Sequence, residues 1–540
     1  MAAELESLTH FASFKNVSFG SNSTADLSKL APQMSVWSGR NIALSSIALL
    51  ASIFYVYFYR FWSNGAAVRE TGTKLIFSEL DEPARRKMYI EDCVSILGHG
   101  YQQFKQGLDM YRMTTADGSE ATVLNPRYLP ELRNLGDEYL SFPKAIESLL
   151  AGKWAHIADR IIPLGVSVIK GDLTPNLNRL MPVISEEIDR ALERVMPECE
   201  DAWQPVCVYK MVQDIVSQVS ARIFVGEPLC HDLRWQALCR DYTDKAFGAS
   251  RAIKQWSPLA RPFVFLLLPE MIDLLKTRRD AVRFMTPIVK ARALETGVER
   301  DDFMEWLKRK SPPGFANDYA EQAEIQCQLA VAAIHTTSMG LTNVIFDLMD
   351  HPEYLEPLRS ELVSVLKETG CYDKNTMARL KKMDSFMKES QRFNPAGLTS
   401  FKRYCMRDVT LSDGKVLPKG TLIEIDDWHQ YFEQGSMDRP AEFDGLRYYR
   451  LRQEGDKNSH QFATSNPDYL QWGNGRHACP GRFFASNEIK SILSKLILKY
   501  DIVPPKEWTG RPPNANFGSQ LAPNPTAKLL FRRRKAGAGL

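Results

Sequence analysis

The sequence predicts a mainly α protein with a minor β part, preceded by a single N-terminal transmembrane helix. Three observations predict it. Asn41–Tyr59 runs for 19 residues without a charge. Helical patterns separated by short Pro/Gly breaks fill most of 84–310, and a proline-free stretch rich in Ala, Leu, Ile and Met continues from Phe315 to about Asp350. Over 400–427 the pattern changes to β-type residues around the turns Ser412-Asp413-Gly414 and Pro418-Lys419-Gly420.

The first 40 residues read as a tail and 41–62 as the anchor. At 1.5 Å per residue the uncharged run reaches about 28 Å, one hydrocarbon core. Aromatic residues crowd its end (Tyr55, Tyr57, Phe58, Tyr59, Phe61, Trp62), as at a membrane interface. Arg60, Arg69 and Lys74 follow it against Glu70, whereas Lys29 and Arg40 precede it against Asp26. Positive charge stays on the cytosolic side, so the body faces the cytosol and the tail the lumen. The only two Asn-x-Ser/Thr sequons without an intervening proline, at Asn16 and Asn22, lie in that tail, where they would be open to glycosylation. Residues 63–83 read as a linker and 84–540 as the folded body.

Within the body the long helix from Phe315 follows Pro312-Pro313-Gly314 and stops before His351-Pro352. Two more helices are expected, from Pro352 to about Glu368 and from about Asn375 to Phe393, the second closed by Asn394-Pro395. Loops are expected over most of 430–480, then a last helix from about Pro480 to Tyr500. Arg532-Arg533-Arg534-Lys535 reads as a solvated tail.

Composition narrows the function. The chain has 540 residues, 25% charged and with a formal net charge of +3. No basic stripe marks a nucleic-acid partner. The nine cysteines are odd in number, scattered and without a CxxC pair, which fits a reducing compartment rather than a disulfide framework or zinc site.

One cysteine stands apart. Trp472-Gly473-Asn-Gly475-Arg476-His477-Ala-Cys479-Pro480-Gly481 sets three glycines around one thiol. Composition alone yields that Gly and Cys spacing roughly 0.002 times per chain. Glycines let backbone approach a flat ligand closely. A helix beginning at Pro480 would turn its dipole and free amides toward Cys479 and lower its pKa. A single thiolate without a zinc-spaced partner suits haem iron.

The stretch resembles the haem-binding loop of the cytochrome P-450 superfamily, Phe-x-x-Gly-x-Arg-x-Cys-x-Gly, with Trp472 in the place of Phe and His477 in the place of Arg. The resemblance implies the cytochrome P-450 fold, with Cys479 as axial ligand of haem b and Trp472, Gly473 and Gly481 around the cofactor. Arg476 and His477 are both candidates for a propionate contact, His477 being favoured by position. Two further motifs match in order and spacing. Glu389-Ser-Gln-Arg392 places an acid and a base on one helix face; by resemblance they join Arg447, from Pro440-Ala-Glu-Phe-Asp-Gly-Leu-Arg447, in a buried network that locks the loop. Ala332-Ala-Ile-His335-Thr336-Thr lies on the long helix. Thr336 takes the position of a threonine that helps deliver protons to dioxygen, and its hydroxyl can bond back to an i−4 carbonyl. His335 replaces the usual acid; it either joins the proton relay or only bonds locally. The loop Gly397–Phe401, with Thr399 and Ser400, is expected on the substrate side.

Leu173-Thr-Pro-Asn-Leu177, Asn394–Phe401, Phe443–Arg447 and Asn487–Lys490 are similar to a filamentous-fungal subgroup that includes ent-kaurene and indole-diterpene oxidases. The resemblance implies a monooxygenase of the endoplasmic reticulum membrane, single-pass, acting on an apolar secondary metabolite of terpenoid or indole-diterpenoid type. It takes electrons from NADPH through a separate reductase, with cytochrome b5 as a further partner. Arg476, Arg482 and Lys490 are expected near the thiol as a docking face or as solvated surface. Other readings stay open at this point: desaturation, multi-step oxidation or ring rearrangement of a polyketide or meroterpenoid; a non-enzymatic haem- or lipid-binding membrane protein; and a Cys–His hydrolase.

Overall fold

A computed structural model of the chain describes residues 73–535, apart from 158–163, 257–259, 299, 316, 434–436 and 456–457, together with Ser52 and Tyr55. The tail with Asn16 and Asn22 lies outside the described residues, as do the expected anchor apart from Ser52 and Tyr55, which are helical, and most of the linker. The fold below is that of the unit Arg69–Leu540.

Helices dominate, as the periodicity predicts. Those that frame the site are α1 (Thr174–Val195), α2 (Val208–Phe224), α3 (Leu233–Lys254), α4 (Pro269–Leu294), α5 (Tyr319–Asp350), α6 (Lys381–Phe393) and α7 (Arg482–Lys499). Helix α5 runs through the centre and packs on α2, α3, α4, α6 and α7. It is long and apolar enough to cross a membrane, yet most of its apolar window is buried inside the protein, so it is a core helix. Its apolar residues extend around most of the circumference, as burial on all sides requires. The β part is a six-stranded mixed sheet of β1 (Lys74–Leu75), β2 (Met110–Thr114), β3 (Glu120–Leu124), β4 (Leu140–Ser141), β5 (Ser400–Cys405) and β6 (Leu422–Ile425), in the order β1-β2-β3-β6-β5-β4. Among the described residues three smaller sheets complete it.

The structure corrects several boundaries. Helix α5 starts at Tyr319, not Phe315, because Pro312–Phe315 turns back on itself (Phe315 N to Pro312 O, 2.9 Å) and Asp318 caps the first turn through the Glu321 amide at 3.0 Å. The helix expected from Pro352 opens with a 3-10 turn, Pro352–Tyr354, and continues over Leu355–Thr369 to Gly370, whose φ is +72°. The one expected over 375–393 divides at buried Leu380 (ψ 71°) into Lys374–Arg379 and α6. The hairpin β2–β3 lies inside the stretch read as helical, and β1 inside the linker. Asp427–Glu433 and Arg447–Glu454 are helices where loops were expected. Arg532 and Arg533 are not a solvated tail. They belong to the strand Lys528–Arg533, which pairs with Tyr500–Val503 and Gln204–Cys207 and buries Leu529 and Phe531 between the basic residues.

Candidate active site

The cysteine loop is held by its own backbone. The Cys479 amide donates to Trp472 O at 2.7 Å, Ala478 N to Gly475 O at 3.1 Å, and Gly473 N to Leu470 O at 2.7 Å. Gly473 and Gly475 both have positive φ, +70° and +69°. A Cβ on Gly475 would lie 2.4 Å from the Arg133 carbonyl oxygen, so two backbones meet there with no room for a side chain. Trp472 stacks edge-on against Phe462 and donates Nε1 to its carbonyl at 2.7 Å. Arg482 clamps the loop from the other side, donating Nη1 to Cys479 O at 2.8 Å and Nε to Ala463 O at 3.1 Å.

Helix α7 begins at Arg482 rather than Pro480, with Gly481 as its N-cap. Cys479 thus precedes the helix by a turn and meets the Gly481 and Arg482 amides. Burial pushes its thiol up, and those amides with the Arg482 charge only partly offset it, so the protein alone does not lower the thiol pKa as the sequence predicts. A metal cation would supply the missing charge, because a coordinating thiol is deprotonated outright. Around Gly481 a Cβ would meet no protein atom within 4 Å.

A cationic group accompanies the loop, and two of its members were not foreseen. Arg403 on β5 is buried and lies over Phe401 and Phe142 at 4.3 and 5.4 Å, and among the described residues no ion pair engages it. Burial lowers its pKa to about 10, with Asp137 opposing. The Arg133 Nε atom is buried without a hydrogen-bond partner. His477 stacks on Phe142, ring centroids 5.3 Å apart, and its Nε2 stands 2.9 Å from Asp137 without hydrogen-bond alignment. Burial and then the Arg403 charge hold its pKa down. Arg403, buried with no ion pair among the described residues, and the orphaned Arg133 Nε call for an anionic ligand. With the thiol and the open space at Gly481, this donor set fits a flat metal macrocycle bearing carboxylates.

On α5, Ala332 and Thr336 are exposed in a stretch that is otherwise buried or half-buried, so this strip of the helix faces open space within the fold. The Thr336 hydroxyl donates to Ala332 O at 2.8 Å, the back-bond expected of a threonine in mid-helix. His335 turns instead toward α2 and α3. Its Nδ1 is 3.2 Å from the Tyr209 hydroxyl, and its Nε2 is 3.4 Å from Gln213 Nε2 and 3.7 Å from Asp244. The Asp244 side chain is 69% exposed. Burial lowers the His335 pKa against the Asp244 charge, which favours the uncharged ring.

The structure brings Glu389, Arg392 and Arg447 together. Arg392 Nε and Nη2 donate to the two Glu389 oxygens at 2.9 and 2.7 Å, and Arg447 Nε reaches Oε1 at 3.2 Å. The guanidiniums then hold the carbonyls of Pro440 (2.7 Å) and Glu442 (2.8 Å), fixing the segment that leads toward the cysteine loop.

Three expectations are corrected. Lys490 is buried and paired with Asp384, so it belongs to no docking face, and Arg482 is spent on the loop; of the three basic residues only Arg476 is exposed. Arg476 is exposed, whereas His477 is half-buried beside Asp137. Thr399 and Ser400 do not offer their hydroxyls to a substrate, since these donate to Glu424 at 2.6 Å and Asp427 at 3.0 Å; Gly397 does line a cavity of about 640 Å³.

The chain is similar to known proteins. Residues 168–531 match the family model described as Cytochrome P450. A cytochrome P450 monooxygenase of Emericella nidulans is 35% identical over 458 residues, 83% of this chain and 84% of that protein. The monooxygenase olcJ of Penicillium canescens is 36% identical, covering 82% and 84%. An ent-kaurene oxidase of Fusarium fujikuroi is 32% identical, covering 83% and 85%. The solved structure of a cyanobacterial CYP120A1 bound to retinoic acid shares the fold, with a TM-score of 0.62 and 17% identity over 83% of this chain and 96% of that one.

Proposed function

The chain belongs to the cytochrome P450 family, with monooxygenases among its relatives, and from that premise we propose that it inserts one oxygen atom of O2 into a C–H bond of an apolar secondary metabolite of terpenoid or indole-diterpenoid type. The observation that carries this reading is Cys479 just before α7, with the glycine turns beside it, Arg403 buried without an ion pair among the described residues, and Arg133 Nε without a hydrogen-bond partner. A haem b bound there supplies the oxidising chemistry, with electrons from NADPH passed by a separate reductase, or by cytochrome b5.

The rest of the work falls to side chains. Cys479 would hold the haem iron through its thiolate, and Arg133, Arg403 and His477 would hold the propionates. The Thr336 hydroxyl holds a proton on the open strip of α5. Neutral His335 accepts protons entering from solvent at Asp244, with Tyr209 and Gln213 fixing its ring. Exposed Arg476 gives an acidic redox partner a contact. The uncharged run 41–59 supports a single anchor in the endoplasmic reticulum membrane, with a lumenal tail open to glycosylation at Asn16 and Asn22.

The test is a spectral titration of purified full-length protein with diterpenes, indole-diterpenes, other terpenoids and polyketides. A low- to high-spin shift of the ferric band with terpenoids is expected. A shift with polyketides alone overturns the substrate class.

A further inference from the structure

We propose that the cavity bounded by α3, the Gly397 loop and the hairpin around Phe517 admits a substrate whose apolar body carries one carboxylate, and that Arg251 receives that carboxylate. This rests on the monooxygenase reading above and adds the polarity of the substrate.

The cavity of about 640 Å³ has room for a polycyclic molecule. Its walls are largely apolar, among them Ile146, Leu149 and Phe247. Three cations break the lining: Arg251, Lys254 and Lys402. Two are engaged. Lys402 donates to Glu424 at 2.8 Å and Thr399 at 2.6 Å. Lys254 donates to Leu149 O at 2.9 Å and lies 3.6 Å from Asp117. Asp117 also serves Arg261 at 3.5 Å, so one carboxylate answers two cations and the region keeps surplus positive charge. Burial raises the Asp117 pKa, but Lys254 and hydrogen bonds from Ser119 and Thr115 outweigh it and hold it at about 2, so Asp117 is fully ionised.

Arg251 differs from both. It is exposed to the cavity, lies 5.7 Å from the Phe517 ring centroid, and among the described residues no carboxylate stands within 4 Å. A guanidinium resting on an aromatic face keeps its in-plane fork free, and that fork matches a carboxylate. The lining also includes Glu270, in the first turn of α4, where helix amides offset its charge. Arg251 sits in the last turn of α3, so both charges are steadied by their helices. What tips the balance toward an anion is Asp117, which stands behind the lining and is shared between Lys254 and Arg261.

The probe is a matched pair, abietic acid and methyl abietate, which differ in the charge of one group on the same apolar skeleton. Binding to the full-length holoprotein in detergent is measured by calorimetry, for wild type, Arg251→Gln and Lys367→Gln, an exposed control on the distant helix Leu355–Thr369. Wild type is expected to bind the acid about tenfold more tightly than the ester, and Arg251→Gln to lose that preference while its ester affinity stays put. Rising salt should weaken the acid alone. Equal affinity of wild type for acid and ester, or equal weakening of both by Arg251→Gln, overturns the proposal. The ferrous–CO spectrum of each sample tests the monooxygenase reading separately. Normal spectra with no acid preference remove the carboxylate and leave the enzyme class; an absent thiolate spectrum removes the class whatever the calorimetry gives.

Discussion

Glu389 and Arg392 meet in a forked ion pair, 2.7 and 2.9 Å, and solvent reaches neither side chain. Arg447 shares the same carboxylate from the next segment at 3.2 Å. Two buried cations around one buried anion survive only because backbone carbonyls absorb the remaining donors.

Removing the anion leaves both guanidiniums without their charge partner. Glu389→Ala should cost about 3–5 kcal/mol and give little haem-loaded protein. Haem content per chain and thermal melting check it. Wild-type loading and melting would remove the network from any role in holding the cysteine loop.

Gly475→Ala should be the most damaging single methyl in the loop. The added Cβ lies 2.4 Å from the Arg133 carbonyl oxygen, and the φ of +69° costs an alanine about 1–3 kcal/mol by itself. Gly481→Ala meets no described protein atom within 4 Å, so its haem-free protein should melt as haem-free wild type does, even where the methyl crowds the haem. The comparison is read by melting temperature; similar losses at both positions would contradict the close backbone approach.

Thr336→Ala removes the hydroxyl that now bonds Ala332 O. NADPH oxidation should continue while product per NADPH falls roughly tenfold and peroxide rises, since water replaces the lost donor only in part. Thr336→Ser should recover most of the coupling. Unchanged peroxide release in Thr336→Ala would exclude a proton-handling role.

The fold itself should be sensitive to pH through Glu488 on α7. Burial pushes its pKa to about 8 against a hydrogen bond from Ser220 at 2.9 Å, and its second oxygen has no partner among the described residues. In the unfolded chain this carboxyl ionises near its ordinary value of 4.5. Between those values the native state holds a proton that the unfolded state lacks, so stability falls as pH rises, on the order of 1 kcal/mol per pH unit. Glu488→Gln should flatten melting temperature against pH over that interval. An unchanged slope would show that Glu488 ionises normally.

The legible parts of the site were those carried by short spacing. Glu389 and Arg392 are three residues apart on one helix, and the glycines around Cys479 lie within nine positions, so each pattern survives in one dimension. Arg133 and Arg403 were not foreseen, because what marks them is convergence: each looks like an ordinary surface arginine until β5 and the cysteine loop come together. The misread strands have a similar cause. In Lys528–Arg533 alternation puts Leu529 and Phe531 inside, but the run of charge that follows obscures a period of two. The hairpin β2–β3 is only five residues per strand, too short to stand out among helical patterns. Pro480 and Gly481 suggest a helix start, yet they form the turn before it, and the capping position rather than the proline sets where α7 begins.

The assignment of Cys479 as the iron's thiolate ligand supports everything else, and the ferrous–CO spectrum tests it most directly. Wild type should show the red-shifted band of a thiolate-ligated haem, and Cys479→Ala should lose it. A Cys479→Ala spectrum indistinguishable from wild type would contradict the assignment.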